Sequence, residues 1–197
     1  MKLHLGAGKD IKKNWVNHDL VQLRGIDVTH DLNVYPWPWA NELFDEVFAN
    51  NLLEHIPDVV QFMEELYRIT KPGAKVYLGV PYWNSWEAIT DPTHCSQFNE
   101  FTFEFFDPNC HRCQNRFYYS TARFHIRRLG YGICLVPSLR PNLGFSYKGR
   151  RRLIFESFFP FKYTVIHNSF LKKILSIFAS YLNNVIIGLE VHLERSE

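Results

Sequence analysis

The feature that most constrains the fold is a glycine turn close to the N-terminus, formed by Gly6, Ala7 and Gly8. Leu3 and Leu5 alternate with polar residues just before it, which is typical of a short buried strand. A glycine turn at the carboxyl end of a first strand lets the backbone approach a ligand closely. The sequence therefore predicts an α/β fold that begins with this strand and binds a ligand at its end.

The elements that follow alternate between strand and helix. An apolar helical pattern runs from Val59 to Ile69, after Pro57, and Lys71-Pro72-Gly73 is expected to end it. This alternation predicts a parallel sheet with crossover helices. The further predicted elements are strands at residues 15–20, 44–49, 76–80, 131–136 and 189–195, a helix at 121–129 and an apolar helical stripe over 171–186.

Charge is distributed unevenly along the chain, although the formal net charge is only +2. Residues 112–152 contain ten Lys and Arg and no Asp or Glu, which creates a positive field over part of the surface. An anionic substrate, a nucleic acid and a membrane surface each fit such a field, and so does a solvated basic face. The four cysteines and the start of a strand at the N-terminus lead us to expect a cytoplasmic protein without a disulfide framework.

Asp19 is predicted to end the second strand, where a carboxylate can accept hydrogen bonds from both hydroxyls of a ribose. It lies 11 residues after Gly8, whereas a dinucleotide-binding fold has a spacing of roughly 20 with a phosphate-facing helix between. The short crossover therefore argues against a nicotinamide cofactor. It is compatible with S-adenosylmethionine, because that cofactor has no phosphate.

Six short motifs occur in an order that resembles the class I S-adenosylmethionine-dependent methyltransferases. They cover about residues 3–83, and a following Asp91-Pro92-Thr93-His94 resembles the small methyltransferase-domain proteins associated with cell-surface polysaccharide biosynthesis. The six motifs are residues 3–8, 15–19, 30–32, 44–47, 53–56 and 71–73.

The resemblance implies a Rossmann-like, doubly wound, mostly parallel sheet with a final antiparallel strand, and S-adenosylmethionine as cofactor. It also implies roles for the cofactor-side residues. Gly6, Ala7 and Gly8 would lie beside the methionine moiety, Asp19 on the ribose, Asp31 and the Leu32 amide on the adenine, and Asn50 and Asn51 under the sulfonium. Two alternatives stay open, because Asp31 also suits a turn cap and Glu54 with His55 suits a structural role at a helix start.

Methyl transfer to a hydroxyl needs a positioned acceptor and a base. His94 is the candidate base and Asp91 its catalytic partner, because imidazole titrates near neutral pH and the segment follows the fourth strand. A histidine that only orders the loop is the alternative. Tyr82, Trp83 and Trp86 are candidate substrate-binding residues, although core aromatic residues have the same sequence pattern.

Cys110 and Cys113 form a single CxxC pattern, with His94, Cys95 or His125 as further candidate ligands. One such pair is a weak indication of zinc, so we predict no metal site and keep a structural metal as the alternative.

The expected organisation is a single domain over residues 1–197. It would comprise a cofactor-binding half (3–83), a substrate-side segment (84–137), a basic, aromatic and helical insertion (138–188) and a closing strand (189–195). The insertion suits a peripheral contact at the inner membrane face, a lid or a homodimer interface.

Three functions are compatible with this organisation. The first is methylation of a sugar, glycan or related small molecule, including phosphate- or lipid-linked forms held by Arg150 and Arg151. The second is a non-catalytic cofactor-binding partner or scaffold. The third is methylation of RNA, which ranks lowest because the sequence contains no nucleic-acid-binding module.

Overall fold

A computed structural model describes residues 1–134 and 163–197. Its centre is one eight-stranded sheet with the strand order β3-β2-β1-β4-β5-β8-β6-β7. The strands are β1 (Lys2–Leu5), β2 (Val16–Asp19), β3 (Val28–Thr29), β4 (Phe44–Asn50), β5 (Thr70–Pro81), β6 (Phe124–Cys134), β7 (Tyr163–Ile166) and β8 (Gly188–Arg195).

The sheet confirms the predicted fold class. Strands β1 to β5 pair in parallel, and the last strand, β8, lies between β5 and β6 and is antiparallel to both. Strand β7 pairs antiparallel with β6 and adds an edge strand from within the predicted insertion. The helix predicted at residues 121–129 is wrong, because β6 occupies 124–134 and pairs with β8 over almost its whole length.

The crossover from β1 to β2 contains no helix and is closed by the side chain of Asn17. Its amide oxygen accepts a hydrogen bond from the Lys12 amide at 2.9 Å, and its amide nitrogen donates to the Lys12 and Trp15 carbonyls. The Asp27 carboxylate accepts a hydrogen bond from the backbone N–H of Asn17 at 2.8 Å, which attaches the next loop to the same residue. One asparagine thus replaces the backbone bonds that a crossover helix would have made.

Helix α1 (Val59–Ile69) crosses from β4 to β5, as predicted. Asp58 caps it, because its carboxylate accepts from the Gln61 amide at 2.9 Å. The helix buries one apolar face against the sheet through Phe62, Met63, Leu66 and Ile69.

Arg68 on α1 anchors the aromatic loop of residues 35–39. Its guanidinium donates to the carbonyls of Trp37 and Trp39 at 3.1 and 2.8 Å and pairs with Glu65, whose carboxylate accepts from the Trp37 amide. Trp37 is buried and packs edge-on against Phe62. The proline-interrupted loop is therefore part of the core.

In the part of the chain that the structure describes, three α-helices follow β5: α2 (Trp86–Thr90), α3 (His111–Asn115) and α4 (Ser169–Tyr181). Helix α4 buries Ala179 but exposes Phe170, Ile177, Phe178 and Tyr181. Half of the apolar stripe predicted over residues 171–186 is exposed, namely Leu171, Phe178, Tyr181 and Leu182, and the helix ends at Tyr181 instead of continuing to residue 186. In the described residues, every helix is too short or too polar to cross a bilayer.

Candidate functional site

The carboxyl ends of β1 and β2 meet at the glycine turn. Gly6 and Gly8 both have positive φ values, +64° and +52°, which suits residues without a Cβ. The Gly8 amide donates to Asp19 Oδ2 at 2.8 Å, and the Val21 amide donates to Asp19 Oδ1 at 3.1 Å. Asp19 therefore holds the glycine turn against the end of β2, and each carboxylate oxygen keeps a further lone pair for a ligand.

The two glycines differ in what surrounds them. A Cβ at Gly6 would lie 3.1 Å from Leu52 Cδ1, whereas a Cβ at Gly8 would meet nothing within 4 Å. Gly6 is thus required by its backbone angle and by Leu52. Gly8 is the position at which the turn faces open space.

Asp31 and Leu32 follow β3 on the same edge of the sheet. Asp31 is exposed, and its Oδ1 accepts from the Asn33 amide and side chain at 2.9 and 3.0 Å. Leu32 is buried, and its carbonyl accepts from the Trp37 indole at 3.0 Å. The turn-capping interaction considered for Asp31 is therefore present, and it leaves Oδ2 for a ligand.

Asn50 ends β4 and Asn51 follows it with φ at +51°. The Asn51 amide donates to the Gly79 carbonyl at 2.9 Å, and a Cβ at Gly79 would lie 2.0 Å from Asn50 Oδ1. Gly79 therefore leaves room for the Asn50 side chain above β5. Both asparagines line a cavity of about 380 Å³.

A second cavity, of about 510 Å³, shares Asn51, Pro81 and Glu87 with the first. The glycine turn, Asp19 and Asp31 lie outside the linings of these two cavities, on the neighbouring stretch of the same sheet edge. The remaining lining of the second cavity is Glu54, His55, Trp86, Thr90, Asp91, Pro92 and His94.

Three of these residues form what we call the Glu-His-His cluster: Glu54, His55 and His94. One side-chain nitrogen or oxygen of each lies within 4.8 Å of those of the other two. His94 Nε2 is 4.0 Å from Glu54 Oε1, and the two histidine rings meet edge to face with centroids 4.7 Å apart. The structure therefore brings residues 40 positions apart in the sequence into one polar group.

Glu54 is only 2% exposed, and its Oε2 has no hydrogen-bond partner among the described residues. Burial raises the pKa of this carboxyl from 4.5 to about 7, and the nearby Asp91 charge adds to the effect while His94 opposes it. Glu54 thus titrates in the range where a general acid or base operates.

The Asp91–His94 segment is attached to the cluster on two sides. The Thr93 hydroxyl lies 2.9 Å from His55 Nδ1 and donates to Asp91 Oδ1 at 2.6 Å. Hydrogen bonds from the Thr93 hydroxyl and amide lower the pKa of Asp91. On the other side, the Cys95 amide donates to the Glu54 carbonyl at 2.9 Å. Asp91 is exposed, its carboxylate positions Thr93, and its backbone carbonyl accepts from the His94 amide at 3.2 Å.

The three aromatic candidates have different surroundings. Tyr82 is buried and its hydroxyl donates to Glu100 Oε2 at 2.8 Å, so its ring belongs to the core. Trp83 is 42% exposed. Trp86 stands at the start of α2 and lines the second cavity together with the residues of the Glu-His-His cluster.

Cys110 and Cys113 do not join a group of three potential ligands in the described part of the chain, where the Glu-His-His cluster is the one such group. Arg150 and Arg151 lie outside the described residues.

The sequence predicts catalytic roles for His94 and Asp91, whereas Glu54 and His55 also suit a structural role at a helix start. The order of two motifs in the sequence already indicates that Glu54 and His55 lie close to His94. Leu53–Ile56 follows β4 and Asp91–His94 follows β5, and these two strands are adjacent and parallel. Segments that follow neighbouring parallel strands lie on the same sheet edge.

A model of the methyltransferase domain family matches residues 7–78 of the chain. A demethylmenaquinone methyltransferase from Oceanobacillus iheyensis is 35% identical over 75 residues, which are 35% of this chain and 31% of that protein. The chain thus matches about a third of the length of this curated relative.

Solved structures resemble nearly the whole chain. An S-adenosylmethionine-dependent methyltransferase from Archaeoglobus fulgidus has a TM-score of 0.59 at 12% identity, over 98% of this chain and 85% of that one. An S-adenosylmethionine-dependent methyltransferase from Thermotoga maritima has a TM-score of 0.55 at 10% identity, over 99% and 82%. The chain therefore has the fold of the class I S-adenosylmethionine-dependent methyltransferases, and its residues 7–78 are similar to the methyltransferase domain family.

Proposed function

We propose that this chain transfers a methyl group from S-adenosylmethionine to a hydroxyl group of a sugar, glycan or related small molecule. The observation that carries the proposal is the pair of cavities that share Asn51, Pro81 and Glu87. One is lined by Asn50 and Asn51 at the end of β4, and the other contains the Glu-His-His cluster. A donor and an acceptor bound at this junction would meet beside a group that can accept a proton.

The cofactor would lie across the carboxyl ends of β1, β2 and β4. Asp19 would bind the ribose hydroxyls with the lone pairs left by Gly8 and Val21, and Asp31 Oδ2 would accept from the adenine. Gly8 gives the methionine moiety room to approach the backbone. Asn50 and Asn51 would lie below the sulfonium.

The chemistry asks little of the protein beyond position and proton removal. The acceptor oxygen attacks the methyl carbon in line with the departing sulfur, which leaves as the neutral thioether of S-adenosylhomocysteine. The hydroxyl proton passes to His94 Nε2, whose lone pair faces Glu54. Glu54 compensates the imidazolium that forms, because a buried carboxylate next to a cation is stabilised.

The acceptor class rests on the polar side chains in the lining of the second cavity and on the positive charge of residues 112–152. A small-molecule acceptor also agrees with the Oceanobacillus relative, whose name gives demethylmenaquinone as its substrate. A quinol is therefore the second acceptor class to assay. Arg150 and Arg151 would hold the phosphate groups of a phosphate- or lipid-linked acceptor.

His94→Ala tests this assignment in the full-length chain. We expect turnover to fall by about 10²- to 10⁴-fold, the usual contribution of a general base, while the affinity for S-adenosylmethionine changes little. The measurement is S-adenosylhomocysteine formation with pooled sugar nucleotides, glycans and quinols as acceptors.

His111→Ala is the matched control, because His111 is exposed on α3 and outside both cavities. Equal losses of turnover and cofactor affinity in His94→Ala would make His94 a structural residue. Cofactor binding without transfer to any acceptor class would favour a non-catalytic partner protein instead.

A further inference from the structure

The hydrogen bonds around the Glu-His-His cluster determine which ring nitrogens carry protons. His94 Nδ1 lies 3.2 Å from the Ala88 carbonyl, which can only accept, so Nδ1 carries the hydrogen. His94 Nε2 is then the nitrogen with the lone pair, and it faces Glu54 Oε1 at 4.0 Å.

The same reasoning applies to His55. Thr93 donates its hydroxyl hydrogen to Asp91 at 2.6 Å, so the Thr93 oxygen accepts from His55 Nδ1 at 2.9 Å. His55 Nε2 therefore has the lone pair. Each histidine has one nitrogen occupied by a hydrogen bond and one nitrogen available as a ligand, which is how metal-binding histidines are usually held.

Glu54 supplies the third electron-pair donor. Its side chain is more than nine-tenths buried, and its Oε2 has no hydrogen-bond partner among residues 1–134 and 163–197. A buried carboxylate without partners is costly, so such groups are normally paired or bound to a cation. One nitrogen of each imidazole and one oxygen of the carboxylate lie within 4.8 Å of one another, and a shared cation would stabilise such a group of electron-pair donors.

We propose that Glu54, His55 and His94 bind one divalent transition-metal ion, such as Zn²⁺. Two imidazoles and one carboxylate are a common ligand set for a catalytic zinc ion, with a fourth position left open. Ligand atoms on one tetrahedral zinc lie about 3.4 Å apart, so the cluster needs to contract by roughly 1 Å. The open position would face the second cavity, where a hydroxyl oxygen is a suitable fourth ligand.

The proposed metal site gives a role to neighbouring groups that have no part in the proposed function. Thr93 and Asp91 become the outer residues that orient His55, and the Ala88 carbonyl orients His94. With the metal bound, His94 is a ligand, so its role as a base belongs to the metal-free protein. Metal binding itself is independent of the proposed function and is measured without donor or acceptor.

The test is equilibrium dialysis of the untagged full-length chain against Zn²⁺ after treatment with a chelator, repeated with Co²⁺ to record visible absorption. We expect one ion per chain. Glu54→Gln and His94→Ala should each weaken binding by more than 100-fold, and Thr93→Ala by about 10-fold, the effect typical of an outer-shell residue. Far-UV circular dichroism checks that each variant is folded, and Glu54→Gln retains the size of the native side chain.

Two control variants separate this site from its alternatives. His111→Ala should leave binding unchanged, because His111 lies outside the cluster. Cys110→Ser/Cys113→Ser should also leave it unchanged; loss of the ion in this double variant would place the metal at the cysteines and overturn the proposal. Absence of stoichiometric binding to the folded wild-type chain, or binding unaffected by Glu54→Gln, would likewise overturn it and would make a shared proton the cation of the cluster.

Discussion

Glu54 illustrates how the environment of one residue changes its chemistry. The sequence places it at the start of a helical turn, where a carboxylate is ordinarily exposed and ionised. In the structure it is buried beside His94, and burial raises its pKa to about 7. No sequence pattern states how deeply a turn is covered, because the covering segment, Asp91–His94, is some 40 residues away.

The raised pKa of Glu54 predicts a pH-dependent stability in the metal-free protein. Because the folded pKa lies above the unfolded one, the stabilisation is complete below about pH 4.5 and is lost as the pH rises through about 7. Between pH 5 and pH 8 this loss amounts to roughly 2 kcal/mol. Urea unfolding in the presence of a chelator measures it.

Glu54→Gln removes the ionisation while keeping the shape of the side chain. The variant should therefore lack this part of the pH dependence and be more stable than the wild type at pH 8. His94 and Asp91, the titratable neighbours of Glu54, remain in both proteins, so the difference between the two profiles isolates Glu54. Parallel profiles for wild type and variant would contradict the assigned pKa.

The backbone conformation of other candidate residues could be predicted from the sequence because it is set locally. Gly6 and Gly8 adopt the positive φ angles that the glycine turn predicts, and Asp19 ends β2 as expected. Tyr82 was less predictable. Whether an aromatic residue stacks on a ligand or packs in the core depends on distant partners, here Glu100.

The elements predicted best are those with a strong periodicity and a clear end. Helix α1 has both an apolar stripe and the Asp58 cap, and it occupies the predicted residues. Residues 121–129 lack such signals, and their pairing with β8, some 65 positions away, decides that they are a strand. Tertiary pairing of this kind overrides local preference.

The loop of residues 35–39 gives a prediction at the level of elements. Arg68→Lys should destabilise the chain by about 2 kcal/mol, because an ammonium group cannot bond Glu65 and both tryptophan carbonyls at once. Urea unfolding provides the measurement. Arg127→Lys is the matched control, since its ion pair with Glu194 lies at the surface and should change the free energy of unfolding much less.

Equal effects of Arg68→Lys and Arg127→Lys would mean that the loop is not anchored through α1. The prediction concerns the free energy of unfolding only. Arg68 lies outside the two cavities of the proposed site, so cofactor affinity should not change.

At the scale of the whole molecule, the sequence gives every charged residue, but the structure describes the positions of only some of them. The basic segment from 112 to 152 ends beyond the described residues, so Arg150, Arg151 and Arg152 are assigned from sequence alone. The apolar side chains exposed on α4 lie in the same predicted insertion. A basic and an apolar surface together are typical of a contact with an anionic membrane.

The triple replacement of Arg150, Arg151 and Arg152 by Gln tests this role. Binding to phosphatidylglycerol vesicles, or inhibition by a nucleoside diphosphate sugar, should weaken severalfold while the affinity for cationic S-adenosylmethionine stays the same. Added salt should mimic the replacement, because exposed charges are screened beyond about 8 Å at physiological ionic strength.

Arg24→Gln/Lys75→Gln is the control, since it removes two exposed cations that lie outside the basic segment of residues 112–152. Salt-insensitive binding would indicate a neutral acceptor. Unchanged behaviour of the triple variant in both assays would leave these arginines as a solvated surface.

Calorimetric titration of the full-length chain with S-adenosylhomocysteine tests the central claim most directly. The account predicts one binding site per chain, no heat with a nicotinamide dinucleotide, and at least about tenfold weaker binding to Asp19→Asn, a loss of roughly 1.4 kcal/mol. Absence of binding to the folded protein at millimolar ligand, or equal binding of the dinucleotide, would contradict it.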